Sequence, residues 1–339
     1  MTKKINNYLE NPVFICGHRR SGTSLMLSLL DDNADFICFP AETGFFYAIY
    51  PLCFEEKNKK YLLKQISTFP LKNLYDQVNI SLKKSDNAKL IFPYSELQKE
   101  IVSRCKATKD LTPANLLKIF MEIFYEYYKY PSTPRGWIEK STSSEIYALE
   151  MFKWFPNAKF IHVIRDPRDN WASLKSGWHR RFRNYNDNIS RLMHSLIERG
   201  RLGLELALHN LSLLGSKRYI VVRYEDLVGT PKTTMRRVTK FLKTRYNKGF
   251  ITPTCAGLSW LGNNYNGKKF AKIVNRKKNN WIKNNSNEEN ALIEFYFHDL
   301  MQEFKYKCVT TQREQVVAAA NHYKWHNYAQ LYSFKISKK

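Results

Sequence analysis

Apolar residues fall in short runs separated by polar loops, and the spacing within the runs alternates between strand-like and helix-like. Residues 13–16 (VFIC) form a buried-strand signal ending at Gly17. After a polar loop, residues 24–30 (SLMLSLL) continue at helical spacing. Residues 35–39 (DFICF) read as a second strand, stopped by Pro40, which closes a βαβ unit with the usual right-handed crossover. Helical signals dominate from about 50 to 132. The most pronounced, at 113–130, is an aromatic helix ended by Pro131 and Pro134, whose stripe reads first as core packing. Residues 136–139 (GWIE) are a weak strand candidate ending at Lys140, followed by a helix to about Trp154. The run 158–164 (AKFIHVI) is a strong buried strand. Asp166 and Pro167 then suit an N-cap and first helical position, with Asp169 in the first turn. A long helix over about 187–214, a strand at 218–223 and a helix at 232–242 follow. Residues 255–287 are basic and loop-rich, and helix returns to about 306.

No repeat period and no Gly/Ser linker divides the chain. The expectation is one domain over residues 1–339 with a P-loop-like, doubly wound α/β fold and a central, mostly parallel sheet. Its core would span about 12–306, with a helical insertion over about 50–132 and a helical tail over about 307–339. In a parallel sheet the C-terminal ends of the strands share one edge, where ligands bind. Gly17 to Ser24, Glu42, Lys140, Arg165 and Tyr224 each fall at or just past the end of a predicted strand, so they should gather on that rim.

The loop GHRRSGTS (17–24) has the form of a phosphate cradle, two glycines framing a turn that opens a helix. It nearly matches GxxxxGK[ST], but Thr23 stands at the lysine position, which argues against an NTPase. Arg20 lies earlier in the loop, where its guanidinium can reach an anion's oxygens. In IRDPRDNWASLKSG (164–177), Arg165 at a strand end and Ser173 two helical turns on can grip a second phosphate. Taken alone, the RDPRD string reads better as Arg165 and Arg168 pairing with nearby carboxylates.

With 43% hydrophobic and 14% aromatic residues, the 339-residue chain has ample material for a core. No apolar run nears the ~20 residues that span a bilayer, and the first residues carry no hydrophobic leader. Six dispersed cysteines, with no CxxC pair and no histidine cluster at ligand spacing, suggest buried thiols, no metal and a reducing, cytoplasmic setting. Four Asn-x-Ser matches carry no weight in so Asn-rich a chain. The net charge of +25 suits nucleic acid, anionic lipid, an anionic glycan or a polyanionic nucleotide, and does not choose among them.

GHRRSGTS and RDPRDNWAS, in that order and spacing, resemble the motifs of sulfotransferases that use 3′-phosphoadenosine 5′-phosphosulfate (PAPS). Residues 223–242 look like that family's adenine-side strand and helix. The look is closest to the branch with protein-tyrosine and bacterial sulfotransferases. The resemblance implies that Gly17, Arg19, Arg20, Ser21, Gly22, Thr23 and Ser24 form the donor loop, with Arg20, Thr23 and Ser24 on the 5′-phosphosulfate. It implies Arg165 and Ser173 on the 3′-phosphate, Tyr224 on the adenine side, and Asn264, where relatives often have serine, in a closing loop at 263–269. Glu42, in PAETGFF, matches the branch's base, and Lys140, in EKST, its catalytic lysine. The sequence departs from the cytosolic branch, which has a lysine where Arg20 stands and uses a histidine base. The implied reaction is in-line sulfuryl transfer to a hydroxyl of a small molecule, glycan or peptide, with no metal and no nucleic-acid partner. A nucleotide kinase and a non-enzymatic polyanion binder, the latter suggested by clusters such as Arg180, Arg181 and Arg183, are the competing classes.

Overall fold

The structure is a computed structural model that describes residues 7–54, 59–82, 93–181, 189–260, 262, 273 and 279–323. The chain divides into two compact units, Met1–Ile164 with Leu206–Asn275, and Arg165–Glu205 with Arg276–Lys339.

The first unit is built on a five-stranded sheet of β1 (Pro12–Cys16), β2 (Phe36–Cys38), β3 (Gly136–Lys140), β4 (Lys159–Ile164) and β5 (Tyr219–Arg223). The spatial order is β2-β3-β1-β4-β5 and every pairing is parallel. Parallel neighbours need crossovers that cover the sheet, so its strands are apolar on both faces. Alternate residues serve the two sides. Phe14, Trp137, Phe160 and Tyr219 point into one cluster, and Val13, Ile15, Ile138, Ile161 and Val163 into the other.

The first crossover runs from β1 through α1 (Thr23–Leu30) to β2 and steps over one position, which β3 fills after the helical insertion. GWIE was a weak strand signal because only three of its residues are apolar or small. Its strand nevertheless forms fully buried, since β1 and β2 pair with it from both sides. The insertion contributes α2 (Lys59–Leu82), α3 (Tyr94–Ala107) and α4 (Pro113–Tyr128) to the Phe14 face. The aromatic stripe of α4 is core: Phe120 and Phe124 meet Phe39 edge-on at 5.0 and 5.1 Å between centroids. That helix stops two residues short of the expected 130, because Lys129 turns left-handed (φ 54°) and caps it. The opposite face carries α1 and α10 (Pro231–Leu242), through Met26, Leu29, Met235 and Val238. Between α4 and α10 in chain order come α5 (Ala148–Trp154), α6 (Pro167–Arg181), α7 (Ile189–Ser195), α8 (Arg201–Leu214) and α9 (Tyr224–Gly229).

The long helix expected at about 187–214 is α7 and α8 joined through one π-helical turn, Leu196–Gly200. In the second unit α6 begins as the sequence suggests, with Asp166 accepting the Arg168 N–H at 2.9 Å. Besides α7, the π-helical turn and the start of α8, the unit includes α11 (Trp281–Asn284), α12 (Asn287–Glu303) and a helix at 312–323. Arg168 ties them together: it pairs with Asp166 at 2.7 Å and Glu294 at 2.6 Å and lies over the Trp281 ring at 4.0 Å. Glu294 in turn accepts the N–H groups of Val309 and Thr310. Asn264 and the basic residues Arg183, Lys268, Lys269 and Arg276 to Lys278 lie outside the described residues.

Phe14 touches Trp137, Phe155 and Phe160 with centroids 5.5–6.1 Å apart and has no exposed surface. Phe14→Ala should therefore destabilise the chain by about 3–5 kcal/mol in urea unfolding. A loss under ~1 kcal/mol would show that this face is not the main core.

Candidate active site

At or beyond the edge where β1, β2 and β3 end lie the first unit's candidate residues Gly17 to Ser24, Glu42 and Lys140. Gly17 follows β1 with φ 138°, and a Cβ there would lie 2.3 Å from the Val163 carbonyl oxygen, so only glycine lets the chain turn so close to β4. Gly17 is also held from the segment after β3: its N–H donates to Glu145 Oε2 at 2.8 Å, and its carbonyl accepts the Ser143 N–H at 3.0 Å. Arg20 sits in the left-handed region (φ 67°), a conformation that costs a non-glycine residue free energy. Gly22, at φ 107°, has no room for a Cβ because the Tyr224 ring would lie 2.4 Å from it. The first residue of α9 is thereby packed on the loop.

The start of α1 fits an anion. Gly22 is its N-cap and offers no side-chain cap, so the positive end of the helix faces the loop without a built-in acceptor. Ser21 is buried, and its Oγ makes no hydrogen bond among the described residues. Buried hydroxyls are ordinarily satisfied, and an anion oxygen in the cradle would satisfy this one. Arg19, Arg20 and Ser24 of the same loop are half-buried.

Glu42 and Lys140, 98 residues apart in sequence (140 less 42), form an ion pair with Nζ 2.8 Å from Oε2. Lys140 is the last residue of β3 and almost wholly buried, while the Glu42 side chain keeps 25% exposure. Glu42 Oε1 accepts the Thr142 N–H at 2.7 Å, and its carbonyl accepts from Asn73 of α2 at 2.8 Å. Burial pushes the Glu42 carboxyl up, but the Lys140 ammonium and the Thr142 N–H outweigh it, so the group sits below the ordinary glutamate value.

Below this edge lies a buried polar chain. Tyr219 Oη meets His162 Nδ1 at 2.7 Å and receives Asn210 Nδ2 at 3.4 Å, and Asn210 also donates to the Glu145 carbonyl. Burial lowers the His162 pKa to about 3, so the ring is neutral and serves the network as a hydrogen-bonding group.

In the second unit Arg165 is buried 3.9 Å from Asp169, whose carboxylate accepts the N–H groups of Asn279 and Trp281 at 2.9 and 3.0 Å. The carboxylate pairing read as the plain alternative for RDPRD is thus present, at Arg168 with Asp166 and at Arg165 with Asp169. Ser173 is half-buried two turns into α6.

Several groups that build the edge escaped sequence reading. Thr43, Thr142 and Glu145 lie in the segments that follow β2 and β3, and Asn73 reaches the edge from α2; a lone Glu, Thr or Asn of this kind carries no periodic signal. The run EKST was the one hint, because it concentrates polar residues where a buried strand ends.

A family model described as the sulfotransferase family matches residues 12–248. Among solved structures, the sulfotransferase domain from the Synechococcus PCC 7002 olefin synthase is similar over 88% of this chain and 95% of its own, with TM-score 0.56 and 20% identity. The sulfotransferase domain from the curacin biosynthetic pathway covers 88% of this chain and 99% of its own, with TM-score 0.54 and 17% identity. At such identities the two structures speak for the fold. No curated protein sequence matches the chain. The chain belongs to the sulfotransferase family, its α/β fold is shared with sulfotransferase domains, and it is a transferase of sulfuryl groups. No helix among the described residues is long and apolar enough to cross a membrane.

The Glu42–Lys140 pair has a titration consequence. Its stability is present above the unfolded glutamate value and is lost as pH falls through the lower folded value. Lys140→Met leaves burial acting on Glu42 with only Thr142 opposing it. In a ¹³C NMR titration, assigned with Glu42→Gln, the Glu42 midpoint should move from below to above the ordinary value of about 4.3. A midpoint that stays low would show that the ammonium does not govern this carboxylate.

Proposed function

We propose that the chain transfers a sulfuryl group from PAPS to an acceptor hydroxyl, with Glu42 as base. The observation that carries this reading is the Glu42–Lys140 ion pair, set on the strand edge that also bears the Gly17 to Ser24 loop. Membership of the sulfotransferase family supplies the reaction class, and the uncapped α1 with the buried Ser21 hydroxyl suits the donor's 5′-phosphosulfate. Gly17, Arg19, Arg20, Ser21, Gly22, Thr23 and Ser24 are assigned to that group. Tyr224, packed on Gly22, is assigned to the adenine side, and Arg165 and Ser173 of the second unit to the 3′-phosphate.

Glu42 takes the acceptor's proton as the oxygen attacks sulfur, and the bond from sulfur to the 5′-phosphate oxygen breaks. A carboxylate held below its ordinary pKa is a weak base in the resting site. As charge builds on the sulfuryl oxygens, Lys140 turns to them, and burial then raises the basicity of Glu42 when the proton arrives. Arg20 meets the same charge from the loop. Each such positioned donor is worth on the order of 3 kcal/mol of barrier.

Incubation with ³⁵S-labelled PAPS and a panel of phenolic, glycan and peptide acceptors tests the reading, and transfer should persist in a metal chelator. Glu42→Gln should keep the thermal upshift given by the desulfated nucleotide and lose turnover by roughly 100-fold or more. Normal turnover in that variant would remove Glu42 as base. Chelator-sensitive phosphoryl transfer in place of sulfuryl transfer would identify a nucleotide kinase.

A further inference from the structure

Glu139 is the least expected charged residue of the first unit. It lies in β3 opposite Phe14 of β1, has no exposed surface, and no role at the site has so far fallen to it. Its Oε1 accepts hydrogen bonds from two hydroxyls, Ser141 Oγ at 2.6 Å and Thr43 Oγ1. Those two hydroxyl oxygens are themselves 3.1 Å apart, and Thr43 Oγ1 also accepts the Phe45 N–H at 3.2 Å. One carboxyl oxygen therefore joins the loop after β2 to the loop after β3.

The residues beside this junction are the reacting pair. Thr43 follows Glu42 directly, and Lys140 is flanked by Glu139 and Ser141. We infer that Glu139 is a positioning residue for the proposed base: by gathering Thr43 and Ser141 on one oxygen it sets the spacing at which Glu42 and Lys140 meet. This inference rests on the functional reading above for its consequence in turnover, and on geometry alone for its effect on the pair.

The charge state of Glu139 makes the effect separable from simple electrostatics. Burial pushes its carboxyl up to about 7 against the hydroxyls of Ser141 and Thr43, which lower it. Its Oε2 makes no hydrogen bond among the described residues, which favours the neutral form further. The groups whose charges act on it or respond to it are Glu42, Lys140 and the Cys16 thiol of β1. Glu42 titrates below the ordinary glutamate value, a range in which Glu139 is already protonated. Replacing Glu139 thus changes no charge while Glu42 titrates, and any movement of that titration reports geometry. Glutamine keeps a carbonyl oxygen for both hydroxyls; alanine keeps nothing.

The experiment compares Glu139→Gln and Glu139→Ala in the full chain by ¹³C NMR titration of Glu42, calorimetric binding of the desulfated nucleotide, and kcat and KM with labelled PAPS. The expected result is a Glu42 midpoint unchanged in the glutamine variant and raised toward the ordinary value in the alanine variant. Nucleotide affinity should be equal in both, and kcat should fall at least ~10-fold in the alanine variant alone, in line with the cost of small misplacements. Native titration and kcat in Glu139→Ala would overturn the inference, as would glutamine and alanine variants that behave alike. Should Glu139→Ala fail to fold, the double variant Thr43→Val, Ser141→Ala removes the same two hydrogen bonds and is expected to raise the Glu42 midpoint; an unchanged midpoint overturns the inference. If the native chain transfers no sulfuryl group, or Glu42→Gln turns over normally, the functional reading fails, and the titration still decides the positioning role.

Discussion

Parallel pairing of β1 with β3 and β4 is the constraint from which the rest of the site follows. Parallel strands cannot be joined by a tight turn, so each must be followed by a crossover, and all of them release their chains at the same edge. β1 occupies the middle of the five, which puts the loop starting at Gly17 between the chain ends leaving β3 and β4. Hydrogen bonds to Glu145 and Ser143 on one side and the tight approach of Val163 on the other then fix Gly17 in a conformation open only to glycine. The loop's shape is thus set by the strand ends around it as much as by its own residues.

That edge holds three carboxyls, Glu139 and Glu145 buried and Glu42 partly exposed, and each is treated differently by its surroundings. Glu145 is anchored on a backbone N–H, Glu42 is held ionised by Lys140 and Thr142, and Glu139 is driven toward neutrality by burial. Glu42 and Glu139 repel when both are charged, which helps to raise Glu139. Separate partners resolve the conflict and leave one partly exposed carboxylate, Glu42, facing a buried ammonium. The division of labour between a proton-holding group and its supports arises from this partition.

The second unit follows another logic. Its centre is the Arg168 guanidinium, which satisfies Asp166 and Glu294 and stacks on Trp281, while Glu294 and Asp169 gather backbone N–H groups from residues far along the chain. Buried ion pairs of this kind are expensive to desolvate and repay the cost only when their hydrogen bonds are complete. Arg168 and Glu294 meet that condition, and the network orders α6, which carries Ser173 and begins two residues after Arg165.

By itself the sequence pointed to β1 and β4, because buried parallel strands must be nearly all apolar, as VFIC and AKFIHVI largely are. It also marked the start of α6 at Pro167, which depends on backbone restrictions local to that residue, and the loop glycines, whose need the approach of Val163 and Tyr224 explains. It placed Glu42 and Lys140 at strand ends, one by one. Only the tertiary structure decided that β3 lies between β1 and β2, and so that Glu42 and Lys140 are partners 2.8 Å apart. Glu139, Thr43, Ser141 and Glu145 had to await it as well. Their roles exist only between loops that strand pairing brings together, and hydrogen bonds across such distances leave no periodicity for a sequence to display.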